Sequence, residues 1–193
     1  MSYLILIRHG QSTWNLENRF TGWVDVDLSK TGIKEAEQSG KLIKDLKIEI
    51  DFFYSSYLIR SIKTLEIILN ILEKKVKTVK AWELNERHYG ELTGLNKTEI
   101  KNKIGDQKFK EYRRSWDVSP PPLKKSSEFS SHNNDKYKKL KKIPNTESLK
   151  DTYNRVIPFF EQNIKNKLDN SKNIIISAHG NTIRALAKKI LAT

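Results

Sequence analysis

Two histidines stand directly after the two most apolar runs of this 193-residue chain, and each is followed by glycine: Ile7-Arg8-His9-Gly10 and Ala178-His179-Gly180-Asn181. In open α/β sheets, ligands bind beyond the carboxyl ends of the strands. Two such His-Gly pairs are therefore expected to face one crevice. Glycine at each place lets the chain turn sharply and lets a ligand approach the backbone. A histidine pair in a chain without cysteine, and without His-x-x-x-His spacing, is a poor metal site. It suits phosphoryl transfer better. A neutral imidazole can attack phosphorus while its other nitrogen donates to a backbone carbonyl, which fixes the tautomer. A second, protonated imidazole can steady charge on the transferring group.

Phosphate chemistry also requires cations in fixed geometry. Arginine is scarce here, 8 residues against 28 lysines, so it is expected where a planar bidentate fork is needed and lysine will not serve. Arg8 adjoins His9, Arg60 follows the Ser55-Ser56 turn, Arg87 adjoins Glu86, and Arg113-Arg114 form a pair. Arg155 reads as an ordinary surface ion-pair residue, and the same reading stays open for Arg184. The polar stretch 82–97 (WELNERHYGELTGLNK) offers Glu83, Glu86 and Glu91 for general acid/base work, and spacing does not separate them.

The elements that must position these residues are legible in outline. Continuous apolar runs at 3–7 and 173–178 read as buried parallel strands, with weaker strands at 51–54 and 76–81. Helical spacing links Ile33, Ala36, Gly40, Ile43 and Leu46 after a cap at Ser29 or Thr31, and links Leu58 through Leu72. A third helix spans 147–168, with Pro158 predicting a kink or local break. The fold class is α/β, a mainly parallel sheet with helices on both faces, in a single domain over 1–193. A helical and loop insertion covers about 91–145 and its basic part about 95–145. Within it, 118–142 carries Pro120-Pro121-Pro122 and seven lysines, and reads as a loop with a solvated face.

The net charge is +13, and residues 101–142 supply +8 of it. Lysine, isoleucine and asparagine are all abundant (28, 21 and 15), so compositional bias accounts for the charge without a nucleic-acid partner. The same positive field draws small anions. No apolar run is long enough to span a bilayer, and no basic leader precedes the first strand. Neither nucleic acid nor membrane is expected as a partner, and the expected compartment is the cytoplasm.

The blocks RHGQSTWNLENRFTGWVDVDLSKTG, SSYLIRSIKT, ELNERHYGELTGLNK, YRRSW, PNTESL, RVIPF and SAHGNTIRAL come in the order seen in the cofactor-dependent phosphoglycerate mutases of the histidine phosphatase superfamily. The sequence resembles that family from residue 3 to essentially its last residue. The resemblance implies interconversion of 2- and 3-phosphoglycerate, primed by 2,3-bisphosphoglycerate and needing no metal, in a homodimer or homotetramer. It implies His9 as the phosphorylated nucleophile, Glu86 as the acid/base and His179 as the transition-state stabiliser. Arg8, Asn15, Arg60, Arg113, Arg114 and Asn181 match phosphate-holding positions. Gly10, Gln11, Ser12, Thr21, Gly22, Arg87, His88, Tyr89, Lys97 and Gly180 match further substrate-binding positions.

Three departures stand out. Gln11 replaces a commoner glutamate, 124–142 is unusually basic, and the resemblance implies a further helix, a strand and a closing tail beyond Thr193. A chain lacking these leaves two other readings, a histidine-dependent phosphatase on small phosphomonoesters or bisphosphoglycerate, and an inactive remnant.

Overall fold

A computed structural model describes residues 2–191. Four parallel strands form one sheet in the order β1-β4-β2-β3, with β1 at Leu4–Arg8, β2 at Phe52–Ser55, β3 at Val79–Lys80 and β4 at Ile174–Ala178. Strand β4 lies between β1 and β2, pairing Leu4 with Ile174 on one side and Phe52 with Ile174 on the other. This central place explains its sequence, because every residue from Ile174 to Ala178 is buried and no polar face is needed. The edge strand β3 is only two residues long and both are exposed, shorter than the expected 76–81.

Side chains alternate across β4 and meet different helices. Ile174, Ile176 and Ala178 join a core with Val156, Ile157, Phe160, Ala185 and Leu186. These come from α6 (Leu149–Phe160) and α8 (Gly180–Leu191). Ile175 joins Ile7, Phe53, Ile43, Leu65, Ile68 and Leu69 on the opposite face, where α2 (Lys30–Asp45) and α3 (Ile59–Ile71) lie. Helices thus cover both faces, as expected.

Local chemistry sets the helix ends. Ser29 caps α2, its Oγ accepting from the Gly32 N–H at 3.0 Å. Ser148 caps α6 in a reciprocal box with Asp151. The helix α6 runs through Pro158 without the expected break, and a π turn, Glu161–Lys165, follows it before the short helix α7 (Asn166–Asp169). Proline lacks only the N–H that would meet the carbonyl four residues earlier, a loss that a helix packed against the sheet tolerates.

The inserted region combines helices and loop, as expected. A short α1 (Thr13–Leu16) precedes it, and within it lie α4 (Lys97–Ile104) and α5 (Asp106–Arg114), hinged at Gly105. Phe20, Leu92, Ile100 and Phe109 give these helices a small core of their own. Residues 118–142 form a loop with short 3₁₀ turns, and that loop is anchored. Tyr137 is only 1% exposed, its ring 4.9 Å from Trp23 and its hydroxyl accepting from Asn85 Nδ2 at 3.0 Å. The strand and tail implied beyond Thr193 lie outside the described residues. No helix among the described residues is long and apolar enough to cross a membrane.

Candidate active site

Strands β1 and β4 lie side by side, and the His9 N–H donates to the Ala178 carbonyl at 3.0 Å. This pairing brings the two His-Gly turns together, with the His9 and His179 rings 4.9 Å apart, centroid to centroid. His9 Nδ1 is 2.6 Å from its neighbour's carbonyl at Gly10 and donates to it. That tautomer leaves Nε2 with its lone pair, and Arg60 Nε approaches it at 3.3 Å. Burial, then the charges of Arg60 and Arg8, push the His9 ring down to about 3, so it is neutral at physiological pH.

The second imidazole departs from expectation. His179 is fully buried, and burial together with Arg60 and His9 holds it well below the ordinary histidine range. It is therefore neutral, not protonated, in the ligand-free protein. Its Nε2 lies 2.8 Å from Ser56 Oγ, while its Nδ1 is buried without a hydrogen-bond partner.

A cavity of about 450 Å³ opens at His9, while His179 packs against the His9 ring and does not line it. It is lined by seven cations (Arg8, Arg19, Arg60, Lys97, Arg113, Arg114 and Arg184) and a single carboxylate, Glu86. Asn15, Thr21, Gly22, Tyr89, Gly180 and Asn181 also line it. Arg60 is 1% exposed and rigidly held, with Nη1 donating to the Val24 carbonyl and Nη2 to that of Gly22, each at 2.8 Å. Burial lowers it only to about 10, so it stays charged. Lys97, at the first turn of α4, donates to the Arg19 carbonyl at 2.7 Å. Burial, then Arg113 and Arg8, bring it down to about 8. The Thr21 hydroxyl is buried without a partner. Buried polar atoms left unsatisfied beside a cationic cavity suit a polyanion that would engage them.

Glu86 Oε1 accepts from the Arg87 N–H at 2.7 Å and from Asn181 Nδ2 at 2.9 Å. Its Oε2 has no hydrogen-bond partner among the described residues and is the oxygen left for chemistry. Glu86 lies against Gly180.

Other anticipated residues stand behind the cavity wall. Arg87 is fully buried, with Nη2 donating to the carbonyls of Tyr112 and Arg113 at 2.9 and 3.2 Å and its guanidinium over the Tyr89 ring. It props the end of α5 that presents Arg113 and Arg114. His88 is buried and its Nδ1 accepts from the Gly90 N–H. Gln11 Oε1 accepts from Ser29 Oγ, and Ser12 caps α1. Gly10 does not line the cavity either. A Cβ there would sit 2.1 Å from the Gly32 carbonyl oxygen, so its glycine serves the close contact with α2 rather than a ligand.

The scarce arginines are concentrated at the site. Six of the eight arginines line the cavity, including Arg19 and Arg184, and the remaining two, Arg87 and Arg155, are buried. Arg155 is not a surface residue. Its side chain is 9% exposed and faces Glu147, itself 4% exposed.

Among the described residues, no group of three or more His, Cys, Asp or Glu is arranged to hold a metal ion. The family model for the histidine phosphatase superfamily (branch 1) matches residues 4–134 and 124–193. The chain is 57% identical over 190 residues to the 2,3-bisphosphoglycerate-dependent phosphoglycerate mutase of Pelagibacter ubique, covering 97% of this chain and 80% of that one. It is 49% identical over 193 residues to the 2,3-bisphosphoglycerate-dependent phosphoglycerate mutase 2 of Lactiplantibacillus plantarum, covering 98% and 84%. Among solved structures, a mycobacterial glucosyl-3-phosphoglycerate phosphatase superposes with a TM-score of 0.77 at 20% identity, covering 100% of this chain and 82% of that one, which speaks to the fold alone. The chain belongs to the histidine phosphatase superfamily and, within it, to the 2,3-bisphosphoglycerate-dependent phosphoglycerate mutases.

Proposed function

We propose that this chain interconverts 3-phosphoglycerate and 2-phosphoglycerate in the cytoplasm, with His9 as phosphoryl carrier, Glu86 as acid/base and His179 as stabiliser of the group in flight. One observation carries the reading. A neutral histidine, its tautomer fixed by the Gly10 carbonyl, sits at a cavity with seven cations and one carboxylate. Such a cavity fits a small acid bearing two or more anionic groups. 2,3-Bisphosphoglycerate primes the cycle by supplying the phosphoryl group that loads His9, and the clamping arginines and unsatisfied Thr21 hydroxyl are the groups that would hold it.

In the loading step His9 Nε2 attacks phosphorus, an N–P bond forms and a P–O bond breaks, and the departing oxygen takes a proton from the Glu86 carboxyl. In the reverse sense, Glu86 Oε2 takes the proton of the accepting hydroxyl as that oxygen attacks the phosphohistidine. Arg8 and Arg60 hold the equatorial oxygens, and Arg113, Arg114 and Lys97 hold the far end of the acid. A phosphoryl dianion at His9 favours the charged form of the adjoining His179, which is neutral without it. Water must be excluded while His9 carries phosphate, or hydrolysis replaces transfer.

The test is turnover of 3-phosphoglycerate to 2-phosphoglycerate with a chelator present, with and without trace 2,3-bisphosphoglycerate. Bisphosphate-stimulated, chelator-indifferent turnover is expected, lost in His9→Ala together with the acid-labile phosphoenzyme. Release of inorganic phosphate without isomerisation would replace this reading with the phosphatase.

A further inference from the structure

The segment that carries Glu86 has no helix or strand to fix it. Residues 85–89 lie between two 3₁₀ turns, Trp82–Leu84 and Gly90–Leu92, so their backbone carbonyls find no ladder partners. One side chain answers two of them and a carbonyl of the preceding turn. Arg155 Nη1 donates to the carbonyls of Glu83 at 2.6 Å and Asn85 at 3.1 Å, and Nη2 donates to that of Glu86 at 2.9 Å. The two remaining N–H groups form a bidentate fork on Glu147, Nε to Oε1 at 2.6 Å and Nη2 to Oε2 at 2.9 Å. All five guanidinium donors are thus engaged. Glu147 completes the frame. Its Oε2 accepts from the His88 N–H at 2.8 Å, and its own N–H donates to the His88 carbonyl at 2.9 Å. Trp23 Nε1 adds a second donor to the Glu86 carbonyl at 2.6 Å.

Taking two opposite charges out of water is costly, and a buried pair of this kind is weak evidence for stability. Its geometry has another use. Three of its acceptors are carbonyls at and just before the proposed acid/base, and the carboxylate member binds the backbone two residues after it. We propose that Arg155 and Glu147 are positioning residues that fix the backbone of Glu86 so that Oε2 meets the reacting hydroxyl. Neither touches the cavity, and the inference rests on the acid/base role given to Glu86 above.

The experiment compares Arg155→Lys, Glu147→Gln and Glu86→Gln with the two doubles that include Glu86→Gln, each confirmed folded by its melting transition. Lysine keeps the charge beside Glu147 but cannot reach three carbonyls, and glutamine keeps the shape of Glu147. Since general acid/base help is typically worth about 10²–10⁴-fold, misplacing it is expected to lower mutase kcat about 10–100-fold with KM changed less than about threefold. Phosphorylation of His9 by p-nitrophenyl phosphate, whose leaving group needs no proton, is expected to stay within about threefold of wild type. In the Glu86→Gln background, either second substitution is expected to cost less than about threefold more. Equal losses in both backgrounds, equal losses with the activated donor, or full activity in folded Arg155→Lys and Glu147→Gln would each overturn the positioning role. Wild-type kcat in Glu86→Gln would instead remove the acid/base reading itself, and the positioning role with it.

Discussion

At the residue scale the division of labour between the ionisable groups follows from where each charge is kept. His9 is lowered to about 3 and stays neutral across physiological pH, so its own titration places no inflection between pH 5 and 8. Lys97 is brought to about 8, and a lysine lowered by burial loses its charge as pH rises through that value. KM for 3-phosphoglycerate is therefore expected to climb above pH 8 in wild type. In Lys97→Met it should be raised throughout and flat over the same range, and an unchanged climb in that variant would assign the limb to another group. Glu86→Gln keeps the acceptor for the Arg87 N–H and Asn181 but cannot move a proton. Transfer between His9 and the substrate hydroxyl should slow by about 10²–10⁴-fold while an activated donor still loads His9, as rapid-quench phosphoenzyme formation would report. A neutral His9 donating to some backbone carbonyl was legible in the sequence, because a histidine ending a buried strand has carbonyls within reach, but that the acceptor is Gly10 was not. Arg155 was not, because its role depends on carbonyls some 70 residues away.

At the scale of elements, the loop leaving β1 is fixed by α2 as much as by its own sequence. The Ser29 N–H donates to the Gln11 carbonyl at 2.8 Å, and a Cβ added at Gly32 would lie 2.1 Å from that same Gln11 oxygen. The clash is backbone against side chain and no flexible group can yield, so Gly32→Ala forces the turn after His9 to move. We expect a loss of about 1–3 kcal/mol in urea unfolding and a fall in kcat well beyond what reduced stability explains. Wild-type kcat in this variant would show that the turn tolerates the shift. The sheet and its covering helices were legible because their apolar runs and periods are strong. The insertion was legible as helical and looped, but the bounds of α4 and α5 were not, because each buries a single residue, Ile100 or Phe109, and their surfaces are otherwise polar. Their stability comes from packing with Leu92 and with Phe20, the latter some 80 residues away in sequence.

For the whole molecule, collecting cations around a buried histidine pair makes folding itself sensitive to acid. His9, His88 and His179 are all held below the ordinary histidine value of about 6.5, with His88 lowered to about 4 by burial and then by Arg155 and His132. In this range the unfolded chain binds more protons than the folded one, so stability rises with pH. The contribution is complete above about pH 6.5 and is lost as pH falls through that value towards the folded one. For His88 alone the loss between pH 7 and pH 5 is about 2 kcal/mol, with His9 and His179 adding in the same direction. His88→Asn keeps an acceptor near the Nδ1 position that receives the Gly90 N–H but removes the titration. Urea midpoints at pH 7 and pH 5 should therefore converge in the variant relative to wild type by about 2 kcal/mol once multiplied by the common m-value. An undiminished pH dependence would mean that His88 is protonated in the folded protein despite its burial. A bound bisphosphate should oppose this acid sensitivity at His179, whose positive form a neighbouring phosphate favours, so saturating bisphosphoglycerate is expected to stabilise the wild-type fold more at pH 5.5 than at pH 7.5.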